Sequence, residues 1–130
     1  ELMRSFGEEM GIAFQIKDDL LDFAPSTVTG KPSGGDVKER KMTLPLIHTL
    51  QSLSTLQRRS MVRGSKRSKD NPNEAQRIME RILEGPGMAY AESKMKFHRD
   101  RAVALLEPLK DGGAKTALIE LVDFTISRKK

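Results

Sequence analysis

Glycine and proline divide this sequence into helix-sized pieces, none of which reads as a strand. Pro25, Gly30, Pro32, Gly34 and Gly35 interrupt it once, Gly85-Pro86-Gly87 a second time, and Gly112-Gly113 a third. Such clusters end helices and strands alike. Between them apolar residues recur at three- and four-residue intervals, as in Leu46, Ile47, Leu50 and Leu53, the spacing of one helix face. No stretch alternates apolar and polar over a strand's length, and no repeat or low-complexity tract is visible. The expected fold class is therefore all-α. Helices are predicted from Leu2 to Phe23, from a cap at Thr43 with Pro45 in the first turn, and from Thr55 to Arg63. Lys66 to Pro72 reads as a loop. A further helix is predicted from Asn73, with Ile78, Ile82 and Leu83 buried. Two more follow, from Met88 to Leu106 and from Ala114 to Arg128. The last should turn Leu118, Leu121, Val122 and Ile126 inward. Asp36 is expected to cap a short turn over 37–41.

A chain of 130 residues makes one domain at most, with a modest core. It contains no cysteine, which excludes a disulfide framework and thiol chemistry. No apolar run approaches the roughly 20 residues that span a bilayer, and no signal peptide is visible, so a cytoplasmic location is expected. Basic residues gather at Arg58, Arg59, Arg63, Lys66, Arg67 and Lys69. Aromatic residues do not interleave with them, so a solvated connection explains them better than a nucleic-acid surface. His48 and His98 stand alone and are expected to be satisfied or solvated. Met10, Met42, Met79, Met88 and Met95 are expected to fill the core.

The chemistry concentrates in residues 14–22, Phe-Gln-Ile-Lys-Asp-Asp-Leu-Leu-Asp. Asp18 and Asp22 lie one turn apart on one helix face, with Asp19 beside them. They fall near the C-terminal end of a predicted helix. That end carries partial negative charge, and an exposed carboxylate there costs about 0.3–1 kcal/mol. Taken alone, this pattern also describes a solvated acidic face. The upstream positions on the stripe are Gly7, Gly11, Phe14 and Gln15 rather than charged residues. Two helical glycines, each costing about 1 kcal/mol against alanine, predict that something approaches this face closely. Oxygen donors without nearby histidine or cysteine suit a hard cation, Mg²⁺ above all, with Mn²⁺ the other ion such donors accept. Downstream comes Gly30-Lys31-Pro32-Ser33-Gly34-Gly35-Asp36, then Lys41-Met42-Thr43-Leu44-Pro45. The loop lacks the pattern of a nucleotide-binding P-loop. Beside an acidic cluster, two lysines in a glycine-rich loop suggest a phosphate-bearing ligand held between a metal and ammonium groups.

In order, spacing and residue type, Gly11-x-x-Phe14-Gln15-x-x-Asp18-Asp19-x-x-Asp22, Gly30-Lys31-x-x-Gly34-x-Asp36 and Lys41-x-Thr43-Leu44-Pro45 resemble the trans-isoprenyl diphosphate synthases, the polyprenyl synthetase family. The match looks like that family's second aspartate-rich motif and its lysine loop. The resemblance implies a prenyltransferase that condenses an allylic diphosphate with isopentenyl diphosphate into a linear polyprenyl diphosphate. It implies that Asp18, Asp19 and Asp22 form a Mg²⁺ site, Asp18 being the direct ligand. It implies that Lys31 and Lys41 touch the allylic diphosphate and carry the chemistry with Gln15, while Phe14 and Gln15 line the substrate pocket. A homodimer is implied for the intact protein.

The family's first aspartate-rich motif is not among these residues. The chain starts with Glu and enters a helical pattern without a convincing cap. Residues 1–130 are therefore expected to be the C-terminal part of one synthetase domain, a partial isoprenoid-synthase-type helical bundle, inactive alone. The alternative is a non-catalytic helical subunit or fragment that self-associates or binds a partner. A terpene cyclase-like relative is disfavoured by the Gly-Lys loop and Thr-Leu-Pro. The ending Arg128-Lys129-Lys130 is expected to be solvated rather than to close over a bound diphosphate.

Overall fold

The structure is a computed structural model that describes residues 1–129. Lys130 lies outside the described residues. Eight helices and no strands occur among them: α1 (Leu2–Leu21), α2 (Ser26–Thr29), α3 (Gly35–Lys38), α4 (Leu44–Ser52), α5 (Thr55–Arg67), α6 (Pro72–Glu84), α7 (Gly87–Leu105) and α8 (Gly113–Ser127). None is long and apolar enough to cross a membrane.

Helix α1 buries Phe6, Glu9, Ala13, Ile16 and Leu20, one stripe at helical spacing. That stripe lies along α7, whose buried side is built of Gly87, Ala91, Met95 and Ala102. Small residues on α7 let the two helices run close over most of their length. Three apolar clusters follow from this pair. Ala13, Ile16, Leu20, Ala91 and Met95 fill its centre. Phe6, Ala102, Leu106 and Val122 join α8 to one end. At the other end Phe23, Val37, Leu46, Met61, Ile78, Met79 and Ile82 gather α3, α4, α5 and α6.

The ends of the elements report local chemistry. Ser54 and Gln57 form a reciprocal capping box at the start of α5. Helix α5 then runs four residues past the predicted Arg63. Asn71, not Asn73, caps α6: its side chain accepts the N–H groups of Asn73 and Glu74, and Pro72 takes the first-turn position where a missing N–H costs nothing. The short helix α2 follows Pro25 and ends on Gly30 in the left-handed region, φ 71°; four residues are too few to show periodicity. Thr43 occupies the predicted cap position of α4, but its side chain makes no capping bond. Leu83, Leu121 and Met42 were expected inside and are 49%, 45% and 62% exposed. Leu83 follows buried Ile82 by one residue and so turns away, and Leu121 precedes buried Val122 in the same way. His48 stacks on Tyr90, and His98 Nδ1 sits 2.6 Å from the buried Glu9.

Gly87 does more than interrupt. A Cβ there would lie 2.3 Å from the Pro45 carbonyl oxygen and 2.5 Å from Thr49 Oγ1. Backbone of α4 thus rests directly on the first residue of α7. Gly87→Ala is expected to lower stability by about 1–3 kcal/mol, the cost of overpacking a closed contact. Urea denaturation followed by far-ultraviolet circular dichroism measures it.

Candidate functional site

The three aspartates at the end of α1 have three different partners. Asp22 is the C-cap residue of α1 and keeps helical dihedrals. Its backbone carbonyl accepts the Gly34 N–H at 2.9 Å, and its Oδ2 accepts the Asp36 N–H at 3.1 Å. Asp22 therefore clamps the glycine-rich loop to α1 and satisfies a donor in the first turn of α3. Asp19 Oδ2 accepts the N–H of Leu44, the first residue of α4, at 3.3 Å. A carboxylate three elements upstream does the capping that Thr43 was expected to do. Asp19 Oδ1 accepts from Gln15 Nε2 at 3.3 Å. Asp18 Oδ1 accepts from Arg128 Nη2 at 2.5 Å.

Gly34 makes the loop's closure feasible. It sits at φ 78°, where any side chain is strained, and a Cβ there would come 2.1 Å from Met79 Sδ and push that side chain of α6 aside. Among the described residues, Arg40 is the non-glycine residue at positive φ, 60°. Its turn brings the Lys41 N–H to the Asp36 carbonyl at 2.9 Å and Lys41 Nζ to Asp36 Oδ1 at 3.2 Å. Lys41 Nζ also meets Glu39 Oε2 at 2.9 Å.

These connections bring the predicted residues to one place. Gln15, Asp18, Asp19, Asp22, Lys31 and Lys41 line a single cleft of about 310 Å³, together with Asp36 and Arg128. Phe14 stands outside it, 45% exposed, with the Arg128 guanidinium 4.1 Å above its ring. A wider recess of about 430 Å³ between α5 and α6 contains none of the predicted site residues. Gly7 and Gly11 do not do what was predicted of them. A Cβ on either would meet nothing within 4 Å, because both lie on the face of α1 turned away from α7. Arg128 is the site residue that sequence reasoning missed. It was expected in solvent, and its side chain is only 13% exposed. The available signal was indirect: three acids ended a helix whose last turn holds no basic residue.

Burial pushes the Asp19 carboxyl above the usual carboxylate range, and the N–H of Leu44 and the amide of Gln15 partly offset it. Burial raises Asp22 as well, and the Asp36 charge adds to this. Lys41 is held up by Glu39 and then by Asp36. Among the described residues no three acidic or histidine side chains converge on one point as a cage for a cation. Mg²⁺ usually takes only one or two carboxylates and completes its shell with water and phosphate. The oxygen donors Asp18, Asp19 and Asp22 suit that kind of site.

Residues 1–82 match the family model for polyprenyl synthetase. The chain belongs to the polyprenyl synthetase family. It is 33% identical over 133 residues to the geranylfarnesyl diphosphate synthase of Aeropyrum pernix, covering 100% of this chain and 41% of that protein. Its fold superposes on the geranylgeranyl pyrophosphate synthase of Bacteroides thetaiotaomicron with a TM-score of 0.85 and 32% identity, over 98% of this chain and 42% of the other. A polyprenyl synthase from Caulobacter crescentus, solved with calcium and isoprenyl diphosphate, matches with a TM-score of 0.82 and 27% identity, over 100% and 40%. The helical fold of this polyprenyl synthetase chain is thus the isoprenoid-synthase fold. The chain spans less than half the length of these relatives.

The raised Asp22 carboxyl gives a pH test. The folded chain holds the Asp22 proton more tightly than the unfolded chain does. Stability is therefore lost as pH rises through the ordinary carboxylate range toward the raised folded value. Asp22→Asn keeps an acceptor for the Asp36 N–H and removes the charge. Near pH 7 its melting midpoint should exceed that of the wild type, and near pH 3, with both forms neutral, the gain should vanish. Thermal melts at the two pH values check this.

Proposed function

We propose that this chain is the C-terminal part of a single polyprenyl synthetase domain and carries its second aspartate-rich motif. The intact protein condenses an allylic diphosphate with isopentenyl diphosphate to a linear polyprenyl diphosphate. The observation that carries this reading is the common cleft: residues spread from 15 to 41 line it with acids and lysines together.

In this reading Asp18, Asp19 and Asp22 hold Mg²⁺, or Mn²⁺ in its place, directly or through water. The bound ion supplies electrophilic neutralisation of the diphosphate oxygens. Lys31 and Lys41 neutralise the charge that accumulates on the diphosphate as the allylic C–O bond breaks. Lys41 reaches the diphosphate by exchanging Glu39 and Asp36 for it. The isopentenyl double bond then attacks the allylic cation, a C–C bond forms and a proton leaves. Phe14 and Gln15 form the wall near the reacting carbons, and Phe14 helps to keep water from the cation. The substrates, the homodimer and a cytoplasmic setting belong to the same reading. Asp18→Ala in the intact synthase should lower turnover of the two diphosphates by about a hundredfold or more. Wild-type turnover in a radiolabelled product assay would overturn the assignment.

A second reading has one observation in its favour. Met3, Phe14, Leu121 and Phe124 on α1 and α8 are 50%, 45%, 45% and 65% exposed. Bare apolar surface of this kind invites association, as a non-catalytic helical subunit would require. Sedimentation of the 130-residue chain should show self-association if that reading holds. A single stable monomer across the concentration range would remove it.

A further inference from the structure

Several contacts build Arg128 into the acidic cleft. Its Nη2 meets Asp18 Oδ1 at 2.5 Å and also donates to the Phe14 carbonyl at 3.4 Å. Its Nε donates to the Thr125 carbonyl at 3.2 Å. The planar guanidinium lies 4.1 Å from the centre of the Phe14 ring, a cation–π contact. The arginine side chain is 13% exposed and the Asp18 side chain 46%. The cation is thus the fixed member of the pair and the carboxylate the accessible one. The link spans 110 residues and ties the end of α8 to the last turn of α1.

An arginine is a permanent cation with donors only. It neutralises a carboxylate at the negative end of a helix that has no cation of its own in its last turn. We propose that Arg128 is a resident counter-cation of the cleft, which a divalent ion must displace to take the Asp18 carboxylate. The inference rests on the reading of Asp18 as a metal ligand. Two consequences follow from linkage. The Arg128–Asp18 pair, while intact, weakens metal binding by its own free energy, and metal binding loosens Arg128 and the end of α8 by the same amount. The cleft and the C-terminal segment are then one coupled unit.

Mn²⁺ binding to the 130-residue chain, followed by the electron paramagnetic resonance of the free ion at low salt, tests this. Arg128→Gln should bind Mn²⁺ roughly threefold to tenfold more tightly than the wild type. Asp18→Asn should abolish the difference. Equal or weaker binding by Arg128→Gln overturns the inference and leaves the metal reading intact. No binding by either chain at millimolar Mn²⁺ overturns the metal reading, and the inference with it. A measurement on the wild type guards against misfolding of the variant. During a Mg²⁺ titration the Arg128 Nε–H resonance should shift, and its solvent exchange should quicken, in step with the Asp18 carboxyl carbon. An Arg128 signal unmoved while Asp18 saturates refutes displacement.

Discussion

Capping of later helices by the last turn of α1 is the constraint on which the cleft depends. Asp22 holds Gly34 and the start of α3, and Asp19 holds the first N–H of α4. The bonds to the Asp36 and Leu44 N–H groups each pair an orphan donor at a helix start with a carboxylate, the charge that such a terminus favours. The pairing also fixes where the intervening loop runs. Lys31 and Lys41 reach the acids because residues 22, 34, 36 and 44 are tied together, with Gly34 pressed against Met79 and Arg40 turned into the left-handed region.

The same arrangement loads one helix end with charge. Asp18, Asp19 and Asp22 crowd where the helix is already negative, and Asp36 joins them across the loop. Local cations answer only in part: Lys41 pairs with Asp36, and Arg128 comes from the far end of the chain to meet Asp18. Burial raises the two capping acids while the accessible Asp18 takes the arginine. Charge crowded in this way costs stability, a departure from the local rules that the rest of the fold obeys.

Much of this was legible in the sequence because it rests on spacing and on breakers. The long first helix and the breaks at Gly30 and Gly85 follow from helix period and backbone freedom alone. The acidic triplet, the lysine loop and their resemblance to the polyprenyl synthetase family were equally local. Other features were not. The cap of α5 was hidden in Ser54 and Gln57, an ordinary pair in a polar stretch. Helix α2 is too short to carry a period. Leu83 and Leu121 look like core residues to any rule that counts hydrophobicity and not angle, yet each adjoins the residue that the core takes. Gly7 and Gly11 were read as a close approach, but among the described residues their face of α1 lies open.

Residue order alone determined an all-helical chain, the position of its breaks, and three acids and two lysines within about 30 positions of one another, because each of these is set by neighbours a few residues away. Which acid caps which helix, that Arg128 leaves solvent for Phe14 and Asp18, and that Gly87 carries the backbone of α4 were decided by tertiary structure. Those contacts join residues 14 to 114 positions apart, where no period or propensity reaches, and only the packing of α1 against α4, α7 and α8 brings them within hydrogen-bonding distance.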